Sequence, residues 1–236
     1  MTKITLVSGG AGFIGKNLIE RLVKNSRKII CIDNLSNPNS SKQNLDLKNP
    51  NIHFLQCDLS DKKSYSTVIE YIKSIKVDNQ DEIDIWHMAA NSDIVKGIED
   101  PNIDLQNTFL TTFYLLKISK FLKVKNFYFA SSSAIYGDHG DEALKENSFP
   151  NNPISNYGAM KLASEALLSA SSYNQNLNTI IFRFPNVIGC PPTHGVIYDF
   201  VQRLSINPNY LQVKGDGKQS KPYLLANDLI DIMLFI

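Results

Sequence analysis

Short runs of apolar residues alternate along the chain with stretches whose apolar positions recur every three or four residues. The first kind predicts strands at Lys3–Ser8, Lys28–Ile32, Ile52–Cys57, Ile83–Ala89, Asn126–Ser131 and Thr179–Phe184. The second predicts helices near 13–25, 61–76, 102–123 and 156–174, the first with Phe13, Ile14, Leu18, Ile19 and Leu22 in helical spacing. Several strands are apolar without a break, as in Ile29-Ile30-Cys31-Ile32 and Phe127-Tyr128-Phe129-Ala130. A strand apolar at every position needs cover on both faces, so the expected class is α/β with a doubly wound parallel sheet. Asn34–Lys48, rich in Asn and Ser, predicts a surface loop after the second strand.

After Pro185 the pattern changes. A turn-rich stretch, Asn186-Val187-Ile188-Gly189-Cys190-Pro191-Pro192, precedes a helix near 196–206 and the turn Gly215-Asp216-Gly217. We therefore expect a main domain over 1–185, a small partial region over 186–222, and a segment over 223–236 that returns to the main domain. In open parallel sheets such a region lies over the carboxyl ends of the strands, where ligands bind. The sequence stops within the apolar run Met233-Leu234-Phe235-Ile236, with no cap or polar tail, which predicts a truncated second region.

Composition narrows the class further. The chain has 236 residues, a formal net charge of +1 and no long block of either sign, so neither nucleic acid nor a membrane surface is an expected partner. Three scattered cysteines, Cys31, Cys57 and Cys190, without a Cys-x-x-Cys pair, read as small core residues of a reduced, cytoplasmic protein. His53, His87, His139 and His194 have no ligand spacing, and no metal is expected.

The candidate chemistry begins at Ser8-Gly9-Gly10-Ala11-Gly12-Phe13-Ile14-Gly15, where the first strand meets the first helix. Glycines at 9, 12 and 15 let backbone N–H groups approach a pyrophosphate, at which the helix also points its positive end. Asp33, some twenty residues on, closes the second strand. A carboxylate there accepts from a ribose 2′-OH and repels a 2′-phosphate, favouring NAD over NADP; the alternative is a solvated loop aspartate. Asp58, ending the third strand, is placed either to bind an adenine amino group or to cap the next helix. Tyr157 and Lys161 lie four apart on one helix face. An ammonium beside a phenol favours phenolate, which can take a proton from a substrate hydroxyl; an ordinary exposed pair is the alternative. The strand end Ala130-Ser131-Ser132-Ser133 offers hydroxyls to a substrate oxygen, or only an ST-turn.

With these pieces in order, the chain resembles the extended short-chain dehydrogenase/reductase family, and within it the nucleotide-sugar epimerases and dehydratases. The resemblance runs from Ile4 to about Asp228 through SGGAGFIG at 8–15, DNLS at 33–36, CDL at 57–59, HMAA at 87–90, SSSAIYG at 131–137, YGAMK at 157–161, RFPNVIG at 183–189 and GDG at 215–217. It implies a Rossmann NAD-binding domain and a substrate-binding region. It places Gly9, Gly12 and Gly15, with the Phe13 and Ile14 amides, on the pyrophosphate, Asp33 and Asn34 on the adenosine ribose, and Asp58 and Leu59 beside the adenine. Ala89 and Ala90 would line the cofactor cleft, Asn107 would stand behind the catalytic centre, and Pro185 would border the nicotinamide. Tyr157 would be base and acid, with Lys161 on the nicotinamide ribose. Ser132 would be the catalytic serine, counted back four from Tyr136, with Ser133 as fallback. Asn186 would reach the sugar nucleotide, as would Lys221, which stands where the family commonly has arginine and lacks its planar fork. A homodimer through the helices near 102–123 and 156–174 is also implied.

The family's dehydratases carry Asp-Glu immediately after the catalytic hydroxyl residue, and its decarboxylases keep the glutamate. Here Ser133 and Ala134 stand there, so the expected reaction is epimerisation at a sugar carbon, C4 first, through transient oxidation. A reductase or dehydrogenase of the same fold, a dehydratase, or a non-catalytic NAD-binding protein are the competing expectations.

Overall fold

A computed structural model describes residues 3–25, 27–75, 81–91, 93–140, 142–149, 151–190, 195–213 and 215–236. Lys76, Pro191, Pro192 and His194 of the sequence reading lie outside them. The chain forms two compact units, Met1–Phe184 and Pro185–Ile236.

The first unit is built on β1 (Lys3–Ser8), β2 (Lys28–Asp33), β3 (Ile52–Gln56), β4 (Glu82–His87), β5 (Asn126–Ser132) and β6 (Asn178–Phe184). They form one sheet in the order β3-β2-β1-β4-β5-β6, and every pairing is parallel. The order reverses between β1 and β4, which opens a crevice at their carboxyl ends. The helices are α1 (Phe13–Leu22), α2 (Ser64–Ser74), α3 (Ile94–Glu99), α4 (Pro101–Asp104), α5 (Thr111–Leu122) and α6 (Asn156–Gln175).

Strand alternation divides the core. Ile4, Leu6, Ile30, Ile32, Ile85, Phe127 and Phe129 join Val68, Ile72, Leu115, Ile118 and Leu168 from α2, α5 and α6 in one buried cluster. The alternate positions face the other way: Cys31 lies beside Gly10 together with Ile19 of α1. Trp86 and Tyr128 stack on that second face, 3.9 Å apart and 9° from parallel. Full burial of each large aliphatic side chain contributes about 1.5–3 kcal/mol. The unbroken apolar runs therefore become a sheet covered on both sides.

Three helical expectations change. The helix near 61–76 starts at Ser64, because Asp58 and Asp61 accept from the amides of Ser60 and Lys63 and hold turns instead. The helix near 102–123 is three pieces: α4, a π-helical turn at Leu105–Leu110, and α5. Asp100 caps α4, with Pro101 in its first turn. Past the π turn, the Thr111 and Thr112 hydroxyls donate back to the carbonyls of Asn107 and Thr108. The sequence reading missed α3 altogether; its Ile94, Val95 and Ile98 are exposed, so it has no buried apolar stripe to read. The strand expected to end at Ala89 stops at His87, leaving Met88–Ala90 as irregular backbone.

In the second unit β7 (Asn186–Ile188) pairs in parallel with β8 (Tyr223–Leu225), and α8 (Ala226–Phe235) packs on both. Helix α7 (Val196–Ile206) lies between the strands in sequence. No helix among the described residues is long and apolar enough to cross a membrane. Among them, too, no cluster of His, Cys, Asp or Glu is placed to hold a metal. Cys190 is exposed, against the expectation that all three cysteines are core residues; it follows β7 in the turn-rich stretch.

Candidate active site

The glycine turn is packed too closely for side chains. Gly9 has φ +66°, and a Cβ there would stand 2.7 Å from the Ala89 nitrogen at the end of β4. A Cβ on Gly15 would stand 2.2 Å from the Gly9 carbonyl oxygen, so the first turn of α1 can rest on the loop only without one. Gly12 is the extended N-cap of α1, and no side chain caps it. The first N–H groups of the helix, Phe13 and Ile14 among them, therefore present partial positive charge without a side-chain acceptor.

Asp33, the last residue of β2, is buried and braces this turn. One oxygen accepts from the Ala11 amide (3.0 Å) and the other from the Leu35 amide (2.8 Å). Burial raises its carboxyl above the ordinary range, and the two amides oppose that. Asn34 accepts from the Ser36 amide. The sequence reading missed Asn44, whose amide donates to the Ala11 carbonyl (2.9 Å), so the Ala11 peptide is held from both sides. Asp58 is exposed and accepts from the Ser60 amide and hydroxyl (2.9 and 2.7 Å); the N-cap of α2 is Lys63, which removes the helix-cap alternative. Leu59 is a core residue.

At the carboxyl ends of β4 and β5 the polar groups converge. His87 lies between the hydroxyls of Ser8 (2.6 Å) and Thr112 (2.9 Å). Complete burial, with the Lys161 charge nearby, drives its pKa well below the usual value, so the ring is neutral. Ala89 approaches the Ser8 hydroxyl, and Ala90 follows it in half-buried irregular backbone. Asn107 sits half-buried in the π turn; the side chain that turns inward is its neighbour Thr108, whose hydroxyl accepts from the Asn91 amide (3.2 Å).

Ser132 accepts from the Ala134 amide (3.2 Å), which makes an ST-turn, and it lies near enough to the Tyr157 phenol to lower its pKa. Ser133 is exposed. Lys161 is fully buried, with Nζ donating to the Ala130 carbonyl and lying 4.7 Å from the Phe129 ring centre and 5.7 Å from that of Tyr157. The spacing thus brings Ser132, Tyr157 and Lys161 together. Their electrostatics differ from expectation. Burial pushes the phenol up to about 12; the Ser132 hydroxyl opposes this and the Asp104 charge adds to it. Burial also brings Lys161 down to about 7, against the pull of Glu165.

Pro185, Asn186 and Lys221 belong to the second unit. Pro185 is half-buried, Asn186 opens β7 and donates to the Pro222 carbonyl (3.3 Å), and Lys221 is exposed before β8.

Comparison with known proteins matches this arrangement to one family: its pattern covers residues 5–236. The chain belongs to the NAD dependent epimerase/dehydratase family. Among relatives, it is 28% identical to a Streptococcus mutans UDP-glucose 4-epimerase over 94% of this chain and 63% of the relative. It is 29% identical to a Dictyostelium discoideum dTDP-D-glucose 4,6-dehydratase over 97% of this chain and 55% of that one. The crystal structure of the Thermus thermophilus UDP-glucose 4-epimerase in complex with NAD superposes with a TM-score of 0.84 at 27% identity, covering 98% of this chain and 73% of the other. This epimerase/dehydratase-family chain therefore spans only part of the length of these relatives.

The residues present fit a dinucleotide. The uncapped start of α1 suits a pyrophosphate, the side-chain-free turn lets it approach, and the Asp33 carboxylate stands at the β2 end with accepting capacity left. Lys161 has donors beyond the one given to Ala130.

Proposed function

We propose that the protein catalyses NAD-dependent epimerisation of a nucleotide-diphosphate sugar at C4, through a 4-keto sugar. The observation that carries this reading is buried Lys161 with its Nζ 5.7 Å from the Tyr157 ring centre, and Ser132 near enough to the phenol to lower its pKa, at the carboxyl ends of the strands that also carry the glycine turn. NAD, when bound, supplies the acceptor and then the donor of hydride.

The turn from Gly9 to Gly15, with the Phe13 and Ile14 amides, holds the pyrophosphate. Asp33 and Asn34 take the adenosine ribose, Asp58 and Leu59 border the adenine, and Ala89 and Ala90 line the cleft. Tyr157 accepts the proton of the sugar C4 hydroxyl and returns it after the ketone has presented its other face. Ser132 holds the same oxygen. Lys161 binds the nicotinamide ribose, and its cation favours phenolate when it is charged. Asn107 and Thr108 shape the wall behind the site. Ser133, Asn186 and Lys221 contact the sugar nucleotide.

Elimination requires an acid and a base beside the reacting carbons. Ser133 and Ala134 supply no carboxylate there, which favours epimerisation over dehydration. The working unit is a cytoplasmic homodimer formed through α5 and α6. The test is to incubate the protein with NAD⁺ and a panel of nucleotide sugars and resolve products by NMR. Inversion at C4 without build-up of NADH is expected. Net NADH formation would replace this reading with a dehydrogenase, and a deoxy-keto product with a dehydratase.

A further inference from the structure

Helix α6 places three polar side chains on one face at successive turns: Tyr157, half-buried, and Lys161 and Glu165, both buried. The proposed reaction uses the first two. Glu165 is buried, and its carboxylate accepts from three donors. The Ser131 hydroxyl donates to Oε1 at 2.5 Å, Arg183 Nε to Oε1 at 3.1 Å, and Arg183 Nη2 to Oε2 at 2.8 Å. Arg183 is anchored in turn, its Nη1 donating to the Tyr136 hydroxyl (3.0 Å) and the Glu146 carbonyl (2.7 Å), with its guanidinium over the Tyr136 ring. Ser131 precedes Ser132 on β5, and Ala130, which accepts from Lys161, precedes Ser131.

We propose that Glu165 is a positioning residue of this site: fixed by Arg183, its carboxylate holds Ser131 at the end of β5 and supplies the counter-charge that Lys161 faces. The proposal rests on the reading of Lys161 as part of the NAD site. The geometry explains how a lysine can be stored without solvent. The groups that face Lys161 are Tyr157 and Glu165 from its own helix, the neutral ring of His87 from β4, and the Ala130 carbonyl from β5. Glu165 is the one anion among them, and the field of Arg183 partly offsets it. Glu165 therefore touches neither substrate nor cofactor and acts through Ser131 and Lys161.

Removing the anion and removing its guanidinium partner should move Lys161 in opposite directions. The experiment follows Lys161 by the ¹³Cε shift of labelled lysine against pH, in the full chain without added cofactor. Wild type should titrate near 7. Glu165→Gln, which keeps the shape and an acceptor but no charge, should lower the midpoint by about one to three units. Arg183→Met, which leaves Glu165 with its charge no longer offset, should raise it. Ser131→Ala, which removes a bond but no charge, should leave it in place while lowering turnover through Ser132. An unmoved midpoint in either charge variant, or a moved one in Ser131→Ala, overturns the proposal. Should Glu165→Gln not fold, Arg183→Met still decides by its direction. If the midpoints move as expected in a protein that inverts no nucleotide sugar, the proposed reaction fails and the role of Glu165 stands.

Discussion

At the amino ends of the strands Asp84 accepts from Arg27 (3.2 Å) and from Asn126 (2.7 Å), Asn178 donates to Asn126 (2.8 Å), and Lys125 reaches Glu82 (3.0 Å). At the carboxyl ends Asp33, His87, Ser132, Tyr157 and Lys161 gather with comparable polarity, yet three of them titrate far from their usual range. The amino-end groups pair with one another and fasten the strand edges. The carboxyl-end groups keep capacity left over: Lys161 has unused donors and Asp33 unused lone pairs. Polar residues at one edge hold the sheet, and at the other they are held by it. A chain with both can lose one set and keep the other, and that separation is what substitutions should expose.

The largest effect belongs to Tyr157→Phe. Loss of a positioned proton acceptor should cost about 10²–10⁴-fold in turnover of any accepted nucleotide sugar, with NAD⁺ affinity and thermal midpoint nearly unchanged. Activity within a few-fold of wild type would remove Tyr157 from the mechanism. Next comes Gly158→Val. A Cβ at Gly158 would stand 2.5 Å from the Ala134 carbonyl oxygen, so the start of α6 must move away from the β5 end and take Tyr157 with it. We expect a loss of about 1–3 kcal/mol in denaturant unfolding and a fall in turnover larger than the stability loss explains.

At the opposite edge Asp84→Ala should give the reverse signature. It strips Arg27 and Asn126 of a buried acceptor and should destabilise by about 1–3 kcal/mol, while turnover of the folded protein stays at the wild-type value. A fall in turnover per folded molecule would show that the two edges are not independent.

The carboxyl edge should also leave a mark on stability against pH. The folded-state pKa of Lys161, near 7, lies below its unfolded value of 10.5, so between those limits the unfolded chain binds more protons. Stability should therefore rise with pH from about 7 to about 9, above which the thiols of Cys31 and Cys57, pushed up by burial, oppose the Lys161 contribution. His87, held neutral, adds a loss of stability as pH falls below 6.5. In Lys161→Met the rise above pH 7 should vanish and the acid loss remain, as read from urea midpoints.

The sheet was legible because its signal is repeated: six largely apolar runs, several of them unbroken, alternate with helical patterns, and right-handed crossovers prune the arrangements they can take. The shared face of Tyr157 and Lys161 was legible in their spacing on one helix, whereas Ser132 was singled out among the strand-end serines only by the family resemblance. Asn44, Thr108 and Arg183 were not, since each acts on a residue distant in sequence, and no local pattern encodes that Asn44 meets Ala11 or that Arg183 meets Glu165. Glu165 was within reach, one turn beyond Lys161 on the same face. The break of the 102–123 helix was hidden because Thr111 and Thr112 look like ordinary helix residues until their hydroxyls turn back on the π turn.

The smallest effect is the sharpest check on the comparison. Lys125 and Glu82 approach to 3.0 Å, close to the 2.8 Å of Arg183 and Glu165, and each moves the other's titration in the direction of a pair: the carboxyl down, the ammonium up. Distance alone would rank the two bridges together. Burial separates them, because Lys125 and Glu82 stand in water, where dielectric and salt screen the attraction and ordering two long side chains offsets the remainder. Lys125→Ala should therefore leave the thermal midpoint and turnover indistinguishable from wild type at physiological salt, whereas Glu165→Ala should not. If both lysine and glutamate truncations cost alike, geometry rather than enclosure would set the worth of these pairs, and the contrast between the two edges would lose its physical basis.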